Sequence, residues 1–324
     1  MAKKPTTPPD FVELAAEIAP VETTDNMAEA GRKMMLGDFV RMLSFEDGAR
    51  SGKDIEDLHQ MRVSTRRMRS AFRLLEAYYK SRRTRPFTGF LKKLAARLGS
   101  VRDLDVLIDD LEKQRPALDE PHRLHLQATI DTLKKQRRKA RKKLVALLDS
   151  KDYLTFTNDC AAFLTKPGRG AITPKSQTTP HQVRHVLPRE IHAHLADVRA
   201  YDTVLEDAEP AAIHALRIEF KRLRYIVDYF KDVLGTSGAD YVKSVKLMQN
   251  LLGRYNDIAV AHSYLEDVSA NGKLNGDAAA ALDAYLARID AEAHDIEAAV
   301  PEAWAKFNTR TVQSKLSNAL LVLR

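Results

Sequence analysis

Cysteine is nearly absent. The 324 residues contain one, Cys160, so no internal disulfide is available, and no Cys/His spacing of the zinc-binding kind accompanies it. That usage suits a reducing compartment. No apolar run approaches the roughly 20 residues needed to span a bilayer. The opening MAKKPTTPPD carries two lysines with no apolar stretch behind them, so neither a signal peptide nor a membrane partner is expected, and a cytoplasmic location is. Period-2 alternation is missing too, which leaves an all-α fold. Catalytic signatures are equally scarce. There is no GxxxxGK followed by Ser or Thr, no GxSxG elbow, and no carboxylate cluster of the kind that holds Mg²⁺ for phosphoryl transfer. His181 and His185 have a metal-capable spacing, but HQVRH lacks the glutamate of HExxH. These absences argue for a binding protein rather than an enzyme, with no metal and no cofactor.

What is present is charge, unevenly placed. Hydrophobic residues make up 44% and charged residues 30%, a globular balance rather than a disordered one. The formal net charge is +8, yet residues 51–150 alone carry a cationic surplus of 12, which leaves the remainder at −4. A local surplus of that size is what a polyanion site requires.

The surplus has a centre in HQMRVSTRRMRSAFR, residues 59–73. At 100° per residue, His59, Arg62, Arg66, Arg69 and Arg73 fall within a stripe roughly 80° wide, with Met61, Met68, Phe72, Leu75 and Tyr79 on the other side. Like charges at i,i+4 each oppose a helix by about 0.2–0.5 kcal/mol, so Arg62/Arg66 and Arg69/Arg73 disfavour folding unless something negative lies against them. A solvated basic face is the simpler reading of any single stripe. Here the stripe occurs twice. HALRIEFKRLR, residues 214–224, places His214, Arg217, Lys221, Arg222 and Arg224 on His59, Arg62, Arg66, Arg67 and Arg69, and LGSVRDLDV (98–106) is echoed by LGRYNDIAV (252–260). The period spans about half the chain, implying two related subdomains rather than a solenoid.

The pattern HxxRxxxRRxR near a helix start, repeated half a chain later and followed each time by LG with an Asp in the next turn, resembles the CHAD domain, the conserved histidine α-helical domain. The likeness covers roughly residues 25–324. It implies two pseudo-symmetric helical bundles enclosing a basic central cavity, binding of inorganic polyphosphate there, and association with polyphosphate granules. The carried-over residues are His59, Arg62, Arg66, Arg69 and Arg73 with His214, Arg217, Lys221 and Arg224. Lys92, Lys93 and Arg97, with Lys246 and Arg254 in the second copy, flank the LG pairs and either line the same cavity or sit in solvent. Lys221 against Arg66, Asp228 against Arg73 and Asn256 against Arg102 depart from strict repetition and make the two inferred walls unequal. The alternating ExExK signature of the triphosphatase domain that sometimes accompanies this family is missing.

Arginine suits such a ligand because its planar fork gives two parallel, charge-assisted hydrogen bonds to phosphate and stays charged at physiological pH. The imidazoles of His59 and His214 have two open roles, donation to phosphate or packing at the edge of an apolar face. Arg67 and Arg222 turn away from the stripe, towards structural roles. KKQRRKARKK, residues 134–143, is either a solvated helix or a second polyanion contact. Nucleic acid is the rival ligand, attracted by the same counterion release, but the stripes carry almost no aromatic residues for base stacking and no reader motif.

Residues 1–22 read as a tail, 23–165 as the first repeat, 166–180 (rich in Pro, Gly and Thr) as a linker, and 181–324 as the second repeat. Helices are expected at 27–43, from an Asp54/Asp57 capping box through the His59 stripe, at 87–98 ending on Gly99, at 101–114, 121–149 and 153–164, and from Val183 or Pro188 to 205. Pro210 opens the His214 helix. Turns are expected at 234–238 and 271–276, and the remaining helices at 241–252 ending on Gly253, 257–268, 277–299 and, after Pro301, 304–323.

Overall fold

The computed structural model describes residues 7–174, 176, 178–205, 209–270 and 276–323. It is 83% helical, with 12 α-helices and no strand among the described residues. These are α1 Phe11–Ala16, α2 Met27–Ser44, α3 Glu46–Ser51, α4 Ile55–Leu74, α5 Ser81–Gln114, α6 Glu120–Leu148, α7 Lys151–Leu164, α8 Val183–Arg199, α9 Pro210–Tyr229, α10 Lys231–Ala270, α11 Gly276–Phe307 and α12 Arg310–Leu321. Among the described residues, no helix is long and apolar enough to cross a membrane. The expected turn at 271–276 falls mostly outside the described residues.

Packing divides the chain into two compact units. The first comprises residues 1–105, 137–187 and 323, and the second 106–136, 188–322 and 324. In the first, α2 packs along α4. Gly31 makes this approach feasible, because a Cβ there would collide with Leu75 Cδ1 and meet Tyr79 Oη at 3.0 Å. Phe39, Met42, Met61, Met68 and Leu75 are fully buried. A chain of rings continues the core, with Phe72 stacked on Phe87 (6.2 Å), Phe87 against Phe163 (5.0 Å) and Phe90 stacked on Phe156 (4.5 Å). In the second unit, α9, α11 and α12 pack on α10. Phe220, Trp304, Phe307 and Tyr241 form its aromatic centre, and Trp304 Nε1 donates to Asp202 at 2.6 Å.

Several expected breaks do not occur. Pro86 lies inside α5 and Pro301 inside α11, and neither Gly99 nor Gly253 ends its helix. A buried stripe explains two of these cases, Gly99 and Pro301. Leu91, Leu94, Leu98, Val101 and Leu104 keep helical spacing through Gly99, and Ile296, Val300, Trp304 and Phe307 keep it across Pro301. Continuous apolar burial outweighs the roughly 1 kcal/mol penalty of a helical glycine, and a proline leaves only one backbone bond unmade. The expected turn at 234–238 does appear, as a kink at Gly235 with φ 65° and ψ −161°, a conformation open to glycine alone at little strain. Helix α11 stops after Phe307, where Thr309 caps α12. Helix α8 ends at Arg199, six residues earlier than expected.

Candidate polyanion-binding site

Helix α4 is started by Asp54, whose carboxylate accepts from Glu56 N at 2.8 Å. This satisfies an orphan donor at the helix N-terminus, although Asp57 takes no reciprocal part in the cap. Leu58, Met61, Thr65, Met68 and Phe72 are buried on one face, and that burial fixes the rotation of the helix. His59, Arg62, Arg66 and Arg69 are consequently held half-buried on the other, with Arg73 exposed beyond them. Arg62 approaches Asp103 at 3.6 Å, and an added Cβ on Gly99 would lie 3.8 Å from Arg62 Nε. The LG pair is therefore not a turn. It is the place where α5 passes close to the cationic face.

The electrostatics of this face are strained in one direction. Burial holds the His59 imidazole below its ordinary proton affinity, and Arg102, Arg66 and Arg62 act in the same sense against Glu56. Burial together with the neighbouring Arg73 likewise lowers Arg69. His59 Nδ1 and Arg66 Nε are shielded from solvent without a hydrogen-bond partner. A buried guanidinium donor such as Arg66 Nε and a buried ring nitrogen left unpaired among the described residues are costly and call for an explanation. Arg102, on α5, belongs to the cluster by its effect on His59 but was not among the residues expected from the sequence. Its position three residues after Gly99, where Asn256 replaces it in the second copy, was the available signal.

Helix α9 begins with Pro210 at its first position. Ile213, Leu216, Phe220 and Leu223 are buried, and His214, Arg217, Lys221 and Arg224 occupy the other side, with His214 exposed. The Arg224 guanidinium lies 4.8 Å from the centroid of the Tyr225 ring and Lys221 Nζ lies 5.9 Å from it. Arg224 is also 4.0 Å from Asp228, the residue that replaces Arg73 in the second copy. Its Nε is buried without a hydrogen-bond partner. The α9 face is thus partly neutralised by its own carboxylate.

The flanking cations differ in availability. Lys92, Arg97 and Lys246 are exposed. Lys93 sits 3.6 Å from Asp152 and 5.8 Å from the Phe90 ring. Arg254 is committed within the second unit. Its fork donates twice to Glu292 at 2.6 Å, with Asp110 at 3.4 Å, and the Glu292 hydrogen bonds raise its proton affinity further. Arg67 pairs with the buried Asp38 at 2.7 Å and Arg222 with Glu219 at 2.7 Å, both structural contacts. In the basic run, Arg137 pairs with buried Asp105, Arg141 donates to the carbonyls of Arg50 and Ser51, and Lys134 meets Glu112 at 2.8 Å. Lys135, Arg138, Lys139, Lys142 and Lys143 stay exposed.

Comparison with known proteins bears on this arrangement. The fold is similar to the crystal structure of the CHAD domain from the plant Ricinus communis, with a TM-score of 0.70 and 24% identity over 90% of this chain and 96% of that one. It is also similar to PptA from Streptomyces chartreusis, with a TM-score of 0.64 and 15% identity over 86% and 99%. Two uncharacterized proteins of Mycobacterium tuberculosis strains are 26% identical over 238 residues, which is 72% of this chain and 44% of theirs. The match therefore spans less than half the length of those relatives. The model of the CHAD domain family matches residues 33–266, and with that span, well over half of its length, the chain belongs to the CHAD domain family.

Proposed function

We propose that the protein binds inorganic polyphosphate through the cationic faces of α4 and α9, without turning it over. The observation that carries this reading is the α4 face itself. Five cationic or protonatable side chains share one stripe, and two of their nitrogens, Arg66 Nε and His59 Nδ1, are shielded from solvent with no hydrogen-bond partner among the described residues. A chain of phosphates supplies acceptors and negative charge to Arg66 and Arg69, which no carboxylate pairs among the described residues. Binding of the polymer would recruit the protein to polyphosphate granules.

The test is titration of the full chain with polyphosphate, single-stranded DNA and RNA of equal charge across a potassium chloride series. Polyphosphate is expected to bind tightest, with affinity falling as salt rises because each neutralised phosphate releases counterions. Equal affinity for DNA at physiological salt would turn the reading to a general nucleic-acid binder. Release of orthophosphate during incubation would contradict the non-enzymatic part.

A further inference from the structure

The stretch joining the two sequence repeats is pinned at its start. Lys80 N donates to Gly170 O at 2.8 Å and Ile172 N to Tyr78 O at 2.9 Å, so residues 166–172 are laced to the beginning of α5 within the first unit. Gly168 and Gly170 have φ of 70° and 78°, which residues with a Cβ rarely adopt. A Cβ on Gly170 would stand 2.8 Å from the Phe163 ring and 3.3 Å from Arg83 Cβ. Only glycine lets the loop come this close to Arg83. The result is an open cavity of about 430 Å³ lined by Arg83, Lys166, Pro167, Gly168, Arg169 and Gly170.

Three cations line that cavity and, among the described residues, no carboxylate does. Arg169 Nη1 donates to Ala162 O at 2.7 Å, which orients its fork and leaves the remaining donors available. Arg83 and Lys166 have no ion-pair partner among the described residues. All three cations are exposed, so water screens their mutual repulsion, and an anion entering the cavity would meet all three at once. Two guanidinium groups and an ammonium on one cavity offer enough donors for the several oxygens of a phosphate.

We propose that this cavity is a second anion site, taking inorganic phosphate or the terminal phosphate of a phosphoanhydride chain, and separate from the α4 stripe. It does not depend on what α4 binds. The experiment follows the amide resonances of Gly168 and Gly170 in the full chain labelled with ¹⁵N-glycine, titrated with orthophosphate, with tripolyphosphate, and with chloride at matched ionic strength. Saturable shifts are expected with the phosphates and not with chloride. Arg83→Gln with Lys166→Gln, both exposed positions whose change leaves helicity intact, should weaken binding about tenfold or more, since two charge-assisted bonds are lost. Arg66→Gln with Arg69→Gln on α4 should leave the shifts unchanged, which separates this site from the function proposed above. Tripolyphosphate binding at least tenfold tighter than orthophosphate would identify a chain end as the ligand, and comparable affinities the free ion. Absence of saturation, an equal response to chloride, an unchanged response in the Arg83/Lys166 variant, or loss of the response in the α4 variant would overturn the proposal.

Discussion

Replacing Arg66 and Arg69 with glutamine separates the binding role proposed for α4 from its structural one. Neither residue has an ion-pair partner among the described residues, Arg66 Nε makes no hydrogen bond, and Arg69 is held below its ordinary basicity by burial and by Arg73. The folded protein therefore loses no pair. It is instead relieved of the Arg62/Arg66 and Arg69/Arg73 repulsions, worth about 0.2–0.5 kcal/mol each, so apo stability should be unchanged or higher by up to about 1 kcal/mol. Binding behaves oppositely. Each charge-assisted hydrogen bond to phosphate contributes about 1.5–3 kcal/mol, and two of them about 3–6 kcal/mol, a loss of roughly 10² to 10⁴ in affinity. The slope of log affinity against log salt should also become shallower by about 1.4, taking about 0.7 per phosphate of a single-stranded polyanion. The assay is polyphosphate titration at several salt concentrations, with urea unfolding of the same samples. A variant that stays folded, binds within threefold of the wild type and keeps its salt slope would refute the assignment of the α4 stripe.

Glutamine at Lys221 and Arg224 tests the second stripe. If one polymer engages both repeats, this pair should weaken binding as severely as the α4 pair, whereas near-wild-type affinity would assign binding to α4 alone. The histidines give a pH signature. Burial is the main cause lowering both His59 and His194 below the ordinary imidazole value, so as pH falls below about 6.5 the unfolded chain takes up protons that the folded chain resists. Stability should be full above that pH and decline below it, and His59→Gln with His194→Gln should flatten the decline in urea melts at pH 5.5 and 7.5. An unchanged decline would refute burial as its origin. Arg67→Gln should act on folding alone: it leaves the buried Asp38 carboxylate short of its 2.7 Å partner and should destabilise by about 3–5 kcal/mol, while polyphosphate affinity stays within threefold under conditions where the variant remains folded.

Much of this architecture was legible because burial and charge share the helical period. The α4 stripe could be drawn from residue numbers alone, since Met61, Met68 and Phe72 leave the helix one rotation that buries them, and that rotation places His59, Arg62, Arg66 and Arg69 together. The same logic, carried further, would have corrected the helix breaks. The apolar series Leu91, Leu94, Leu98, Val101 and the series Ile296, Val300, Trp304, Phe307 run unbroken across a glycine and a proline, and in both places periodicity was the stronger signal than the local breaker. Partner choice was not legible. Arg254 directly follows the second LG pair and reads as a flanking cation, yet Glu292, 38 residues away on α11, claims it. Arg137 and Arg141 sit in what reads as a uniform basic run, yet Asp105 and the end of α3 hold them. Charge repeats identify which surfaces were built cationic, but the carboxylates that neutralise individual members come from distant sequence. The residues that remain available are therefore those on faces where no such carboxylate arrives, and on α4 that condition selects Arg66 and Arg69 ahead of Arg62, which has Asp103 within 3.6 Å.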